Sequence, residues 1–220
     1  MIRLSRPVIY ALCLLAGSLL AVVAGVAHPD LPSDGAAQLD TIAHCEAWRA
    51  IHFAFLFGFA LSLAGLVGLV GKHTGTSGEQ AARAGLIVGV FAYAAWMVIV
   101  AFMAGAGWSL AQSYVTAQPG LAATHAVFVY DMLHPFALAA QRAAAFALGL
   151  STYLFGWGLI NGKVLPRWLG RGAIAAGIVG MALALVFPED TKADQAAFVL
   201  PVLWQVVTGA LLLRGRPASI

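Results

Sequence analysis

Apolar residues in this chain come in runs too long for the core of a soluble domain. They fill approximately 7–27, 48–70, 84–108, 135–160, 172–187 and 196–213, and polar residues collect in the gaps. A helix rises about 1.5 Å per residue, so about 20 residues cross a hydrocarbon layer roughly 30 Å thick. The pattern predicts an all-α fold, a polytopic membrane bundle of six transmembrane helices. No stretch reads as a linker, a repeat or a low-complexity tract, so residues 1–220 are expected to form a single integral membrane domain. Small residues recur inside the runs, as in Gly85 and Gly89 of "GLIVG" and in Ala143, Ala144 and Ala145. Small side chains let helices approach closely in lipid, so packing is their expected role.

Composition agrees with the pattern. The chain is 61% hydrophobic and 10% charged, whereas a soluble domain carries roughly 25% charged residues. The lipid bilayer is therefore the first expected partner. The net charge of +3 does not point to nucleic acid, because the basic residues form short clusters between apolar runs.

Those clusters predict an orientation. Arg3 and Arg6 precede the first run, Lys72 and Arg83 lie between the second and third, Lys163, Arg167 and Arg171 between the fourth and fifth, and Arg214 and Arg216 after the last. Six crossings put all of them on one side, which the positive-inside rule makes cytoplasmic. Both termini are then expected inside, in a bacterial cytoplasmic (inner) membrane. The first run also has the basic start, apolar core and small-residue end of a signal peptide. Cleavage after Ala27 would leave His28 as a new amino terminus, an attractive copper ligand. The expectation is that the run stays as the first helix. Cys13 and Cys45 fall in different layers, so no disulfide framework is expected.

Polar chemistry gathers on the side away from the basic clusters. His28, His44, His52, His125 and His134 lie there, with Asp30, Asp34, Asp40, Glu46 and Asp131, and only His73 lies opposite. "AHCEAWRAIH", residues 43–52, concentrates this chemistry where the second run enters the membrane. His52 is about one turn below Trp48, whose indole is expected to mark the interface. His134 precedes Pro135, a residue favoured in the first turn of a helix. The two histidines should share a depth near the outer ends of the second and fourth helices, and ionisable residues there are costly and often functional. Such a pair could hold a haem b iron, a copper or other metal ion, or a pigment magnesium. Arg142 lies about 10 Å deeper, with no acidic residue in any run to neutralise it. It could meet a haem propionate, a lipid phosphate or a quinone oxygen, snorkel toward Asp131 or Glu46, or bond helix-end carbonyls. Arg49 could serve a second propionate.

A bare metal ion would draw on His44 or Cys45 from a loop with His125 or His134 from the facing segment, Asp131 being three residues from His134. None of these spacings is a recognised metal signature. The outer connection 109–134 should carry a short helix from Leu121, lying on the membrane or extending the fourth helix. Gln112, Tyr114, His125 and Tyr130 could line an entrance there.

From the fourth run onward, "LFGWGLINGKVLPRWLGRGAIAAGIVG" and "PVLWQVVTGALLLRG" resemble a broad bacterial family of six-helix membrane proteins catalogued as a domain of unknown function. The shared features are Gly156, Gly162, Pro166, Arg167, Gly170 and the run to Arg214. The resemblance implies architecture, with no reaction or site to carry over.

Three functions follow as expectations. The first is a redox or metal-binding protein for electron transfer with a quinone or a partner, with His52 and His134 as ligands and Arg49 and Arg142 near propionates. The second is a cofactor-free accessory or assembly subunit of a larger membrane complex, or a homo-oligomer. The third is a small-molecule transporter or receptor. No nucleophile–base pair stands out around Ser62, Ser109 or Ser151, so no enzyme is assigned.

Overall fold

The computed structural model describes residues 6–117, 120–188 and 191–214, without the side chains of Arg6 and Asp194. Among these residues there are helices and connections and no strand. Six helical stretches are long and apolar enough to cross a membrane. Arg3 and Arg216 lie outside the described residues.

Helix α1 (Arg6–Ala27) packs against α3 (Trp48–Lys72), α3 against α4 (Glu79–Phe102), and α4 against α6 (Leu121–Gly162). Helix α6 packs against α7 (Arg167–Val186), α7 against α8 (Lys192–Arg214), and α8 returns to α1. The bundle is a closed ring. Lys192 meets Asp30, Gln205 meets Ser18, and Gly209 lies against Leu15, so α1 and α8 run antiparallel. The described chain therefore starts and finishes at one end of the bundle. Lys72, Arg83, Lys163, Arg167, Arg171 and Arg214 belong to that same basic end.

Close backbone approach holds the ring together. A Cβ added at Gly17 would stand 2.6 Å from the Gly58 carbonyl oxygen, and one at Gly149 would stand 2.9 Å from that of Gly177. Those positions set the α1–α3 and α6–α7 spacings, where lipid supplies no hydrophobic drive between helices. Gly85 and Gly89 both lie against Ser151, whose hydroxyl donates to the Gly85 carbonyl at 2.7 Å. In the middle of the bundle, Tyr93 Oη and Ser18 Oγ both donate to Gln205 Oε1, at 2.7 and 3.3 Å. Ser18 Oγ also lies 3.4 Å from Ser62 Oγ. One polar cluster thus links α1, α3, α4 and α8.

The end opposite the basic clusters differs from the predicted loops. Helix α4 continues through a π-helical turn (Met103–Gly107) into α5 (Trp108–Thr116), and α2 (Gly35–His44) is an additional short helix. Of the two forms expected for a helix from Leu121, the structure has the one that extends the fourth span: α6 starts at Leu121 and Pro135 is inside it. Proline removes one intrahelical hydrogen bond but its φ suits a helix, so the helix carries on through it. At about 1.5 Å per residue, α6 is roughly twice as long as a bilayer's hydrocarbon is thick, so its first half projects outward. There α2, α5 and α6 share a second core: Leu39, Ile42, Trp48, Met103, Ala111, Ala126 and Tyr130. Asp34 starts α2 by accepting the Ala37 N–H at 2.9 Å, the usual device for an orphan helix donor. Helix α7 also starts earlier than expected, so Arg167 and Arg171 sit within it.

Candidate functional site

Beneath this helical cap the ring opens into a cavity of about 780 Å³, a size typical of small-molecule and cofactor pockets. Phe55, Phe59, Trp96, Ile99, Val100 and Phe198 form apolar walls, and Phe59 stacks near Tyr93, Trp96 and Phe198. The polar wall and mouth hold His28, His52, His134, Gln141, Gln195, Asp30 and Lys192. His52 and His134 therefore face one cavity, as their predicted depth implied.

His52 is fixed from within its own helix. It is buried, and Nδ1 lies 2.7 Å from the Trp48 carbonyl oxygen. A carbonyl only accepts, so Nδ1 carries the proton and, in the neutral ring, Nε2 keeps the lone pair. Trp48 packs on the ring at 4.3 Å between centroids, and its indole N–H donates to the Met103 carbonyl at 2.9 Å. This corrects the expectation for Trp48: its indole is completely buried between bundle and cap and does not mark the membrane interface. Met103 opens the π turn and lines the same cavity. Such turns recur at functional sites.

His28, on the connection after α1, completes the wall. Its ring centroid is 5.3 Å from that of His52 and 5.0 Å from Trp48. Its Nδ1 lies 2.8 Å from the Pro29 carbonyl oxygen, so it too donates through Nδ1. The pair does not need a free amino terminus at residue 28. His134 stacks on Tyr130 with 5.0 Å between centroids. Tyr130 is buried and donates to Gln38 Oε1 at 2.6 Å, and Gln38 Nε2 donates to the Pro32 carbonyl at 2.6 Å. Helix α2 thus fixes the aromatic platform under His134. At the mouth, Lys192 Nζ meets Asp30 Oδ1 at 2.8 Å, and this ammonium holds the Asp30 carboxyl below the usual carboxylate range.

The remaining predicted residues lie elsewhere. Arg142 borders a separate apolar cleft with Phe91, Phe146 and Leu185, and donates to the Phe187 carbonyl at 3.1 Å, at the end of α7. Of the partners open to it in sequence, a helix-end carbonyl is one it meets, and Gln141 takes the cavity-facing position instead. Arg49 is exposed, with its guanidinium 5.9 Å from the centroid of the Phe53 ring. His44 is exposed and bonded to Asp40, with Nδ1 2.8 Å from that residue's carbonyl oxygen. Cys45 caps the end of α2, and His125 is exposed on α6. The Asp131 carboxylate lies against Gly35 at the start of α2, where a helix dipole favours negative charge. His44, Cys45, His125 and Asp131 are thus not brought to one point. Among the described residues, no three His, Cys, Asp or Glu side chains are grouped to hold an ion. Gln112 donates to the Ala43 carbonyl and Tyr114 packs in the cap. With His125 and Tyr130, they are not among the cavity's lining residues.

No family model, curated protein or solved structure matches the chain.

Proposed function

We propose that the protein is an integral membrane redox protein that holds a metal centre, a haem b iron or a bare metal ion, in this cavity, with His52 as its fixed ligand. The observation that carries the reading is a buried imidazole locked by the Trp48 carbonyl into the Nε2 lone-pair tautomer, in the wall of a cofactor-sized cavity. Metal-ligating histidines are oriented by this kind of bond from the other ring nitrogen. The aromatic walls would exclude water and tune the potential. His28 or His134 would supply further ligation, and Lys192 replaces Arg49 and Arg142 as the cation nearest an acidic substituent.

In this reading the basic end faces the cytoplasm of a bacterial inner membrane. The cavity then opens to the opposite side, where a quinone or a membrane-complex partner exchanges the electron. The resemblance of the last third of the chain to the six-helix family belongs to the same proposal. An absorption spectrum of the detergent-purified protein, oxidised and dithionite-reduced, is read together with metal analysis. A Soret band or stoichiometric metal that disappears in His52→Ala supports the reading. Neither signal in the wild type ends it.

A further inference from the structure

We infer that the cavity takes a quinone from within the membrane, through a window between α1 and α8, and holds its ring on the aromatic wall. The inference deepens the redox reading above. It rests on that reading for the quinone's role, while the window and the wall stand without it.

The window follows from how α1 and α8 meet. Toward the basic end they touch closely. A Cβ added at Gly209 would stand 2.8 Å from the Leu15 backbone nitrogen, and Ser18 Oγ donates to Gln205 Oε1 at 3.3 Å. Beyond that bond the two helices part. Gly25 lies about 10 Å further along α1 than Ser18, at 1.5 Å per residue. Among the described residues, a Cβ added there would meet only the Phe55 ring, at 3.8 Å. Contact resumes further out, where Lys192 meets Asp30 at 2.8 Å. Gly25 and Val26 on one side of the gap, and Gln195 and Val199 on the other, line the cavity and are also exposed, Val26 at 84%. All four lie inside the apolar spans Pro7–Ala27 and Gln195–Arg214. The opening therefore faces hydrocarbon, and what passes through it is lipid-soluble.

The wall selects a ring. Between centroids, Phe55 stands 5.6 Å from Phe59, Phe59 5.9 Å from Phe198, and Phe198 5.1 Å from Trp96. A flat ring gains from offset or edge contacts with such a surface beyond the area it buries, whereas an acyl chain gains burial alone. Gln195, at the edge of the window, carries an amide that can donate to a ring carbonyl. The Phe55 centroid is 6.4 Å from that of His52. A ring on this wall thus lies beside the imidazole that holds the metal centre in the reading above. A lipid-soluble ring with carbonyl oxygens beside a redox centre is a quinone, which selects it over a protein as the partner.

The test is a titration of the detergent-purified full chain with decylubiquinone, followed by tryptophan fluorescence, with decanol as the ring-free competitor. Saturable binding of one quinone per chain is expected, and decanol should not displace it. Gly25→Leu fills the gap from an open helix surface and should abolish binding. Gly71→Leu, at the basic end with nothing within 4 Å of its added Cβ among the described residues, should leave it unchanged. Phe198→Ala should weaken it about 10-fold, by removing the ring that joins Phe59 to Trp96. A photolysed azidoquinone, mapped by mass spectrometry, should label α1 and α8 at the window. Wild-type affinity in Gly25→Leu overturns the inference, even if Phe198→Ala fails to fold. Displacement by decanol, or no saturable binding at all, also overturns it, and the metal-centre reading then stands or falls on its own spectrum. Quinone binding as expected in a chain with neither haem nor metal keeps the window site and ends that reading.

Discussion

Two histidines, one near each end of the bundle, are both removed from solvent, and they differ in everything else. His52 has its Nδ1–H on a carbonyl, an aromatic partner on its face and a cavity in front of it. His73 follows α3 at the basic end, fully buried, and neither ring nitrogen has a hydrogen-bond partner. Its ring fills the space beside Gly162, where a Cβ would stand 2.7 Å from Nδ1. Burial alone therefore does not mark a site. A ring whose one nitrogen is anchored and whose surroundings leave room is prepared for a ligand, whereas a ring wedged without partners carries an unrecovered desolvation cost. The tryptophans repeat the contrast, Trp48 being 0% exposed at the capped end and Trp168 58% exposed at the basic end.

The largest effect should come from Trp48→Ala. It removes the largest buried side chain joining cap and bundle, the bond to Met103 and the surface on which His28 and His52 rest. A loss of about 3–5 kcal/mol is expected, as for other buried large-to-alanine changes, with early proteolysis of residues 28–47. Trp168→Ala should cost well under ~1 kcal/mol. Thermal unfolding of the two variants in the same detergent checks both. Equal losses would mean that the cap contributes no more to stability than an exposed interface residue.

Replacing each buried histidine by leucine should separate the two ends by sign. His52→Leu gives up the bond to Trp48 and is expected to cost about 1 kcal/mol. His73→Leu removes two unsatisfied nitrogens at similar volume, and stability should hold or rise by about 1 kcal/mol. The pH dependence sharpens this. Burial holds the His73 imidazole below its ordinary value of 6.5, so below that pH the unfolded chain takes up a proton that the folded chain refuses. His73's contribution is fully kept above about pH 6.5 and is lost as pH falls toward the lowered value, by up to ~1.4 kcal/mol per pH unit. Melting temperatures at pH 7.5 and 5.5 should diverge in the wild type and diverge less in His73→Leu, where buried His52 still refuses a proton. A wild-type slope unchanged in the variant would place the titrating group elsewhere.

How far the sequence reaches follows the same division. The six spans were readable because lipid imposes one rule, about 20 apolar residues, on every crossing. The helix from Leu121 was readable too, but whether it lay on the membrane or extended the fourth span was not, because Pro135 carries the same signal inside a helix as at its first turn. Helix α2 had a readable start in Asp34, with Leu39 and Ile42 three apart on its buried face, but nothing in a loop-length argument asked for it. In the site, the depth of His52 and His134 was legible while direction was not. Gln141 and Arg142 are neighbours about 100° apart on one helix, and that rotation sends one into the cavity and the other to the end of α7. The place of His28 in the cavity wall was not legible, because a connection has no periodicity to say where its side chains turn.

The smallest effect is expected at the cavity mouth, where position invites over-reading. Asp30 and Lys192 join the connection after α1 to the start of α8, so the pair resembles a latch across the opening. Both side chains are about three-quarters exposed, and exposed pairs recover little after ordering two flexible groups in a high dielectric. Asp30→Asn should therefore leave stability almost unchanged, and added salt should abolish even the small difference. At the basic end, the Glu79 carboxylate meets Arg83 and also accepts the Gly75 N–H at 2.7 Å, tying a turn together. Glu79→Gln should cost more than Asp30→Asn, because a backbone donor loses a charged acceptor as well as an ion pair losing a partner. Thermal melts of both variants at low and high salt decide the order. If Asp30→Asn proved the costlier, α8 would be held to α1 by the mouth, and access to the histidines would depend on a charge pair rather than on the packing of Trp48.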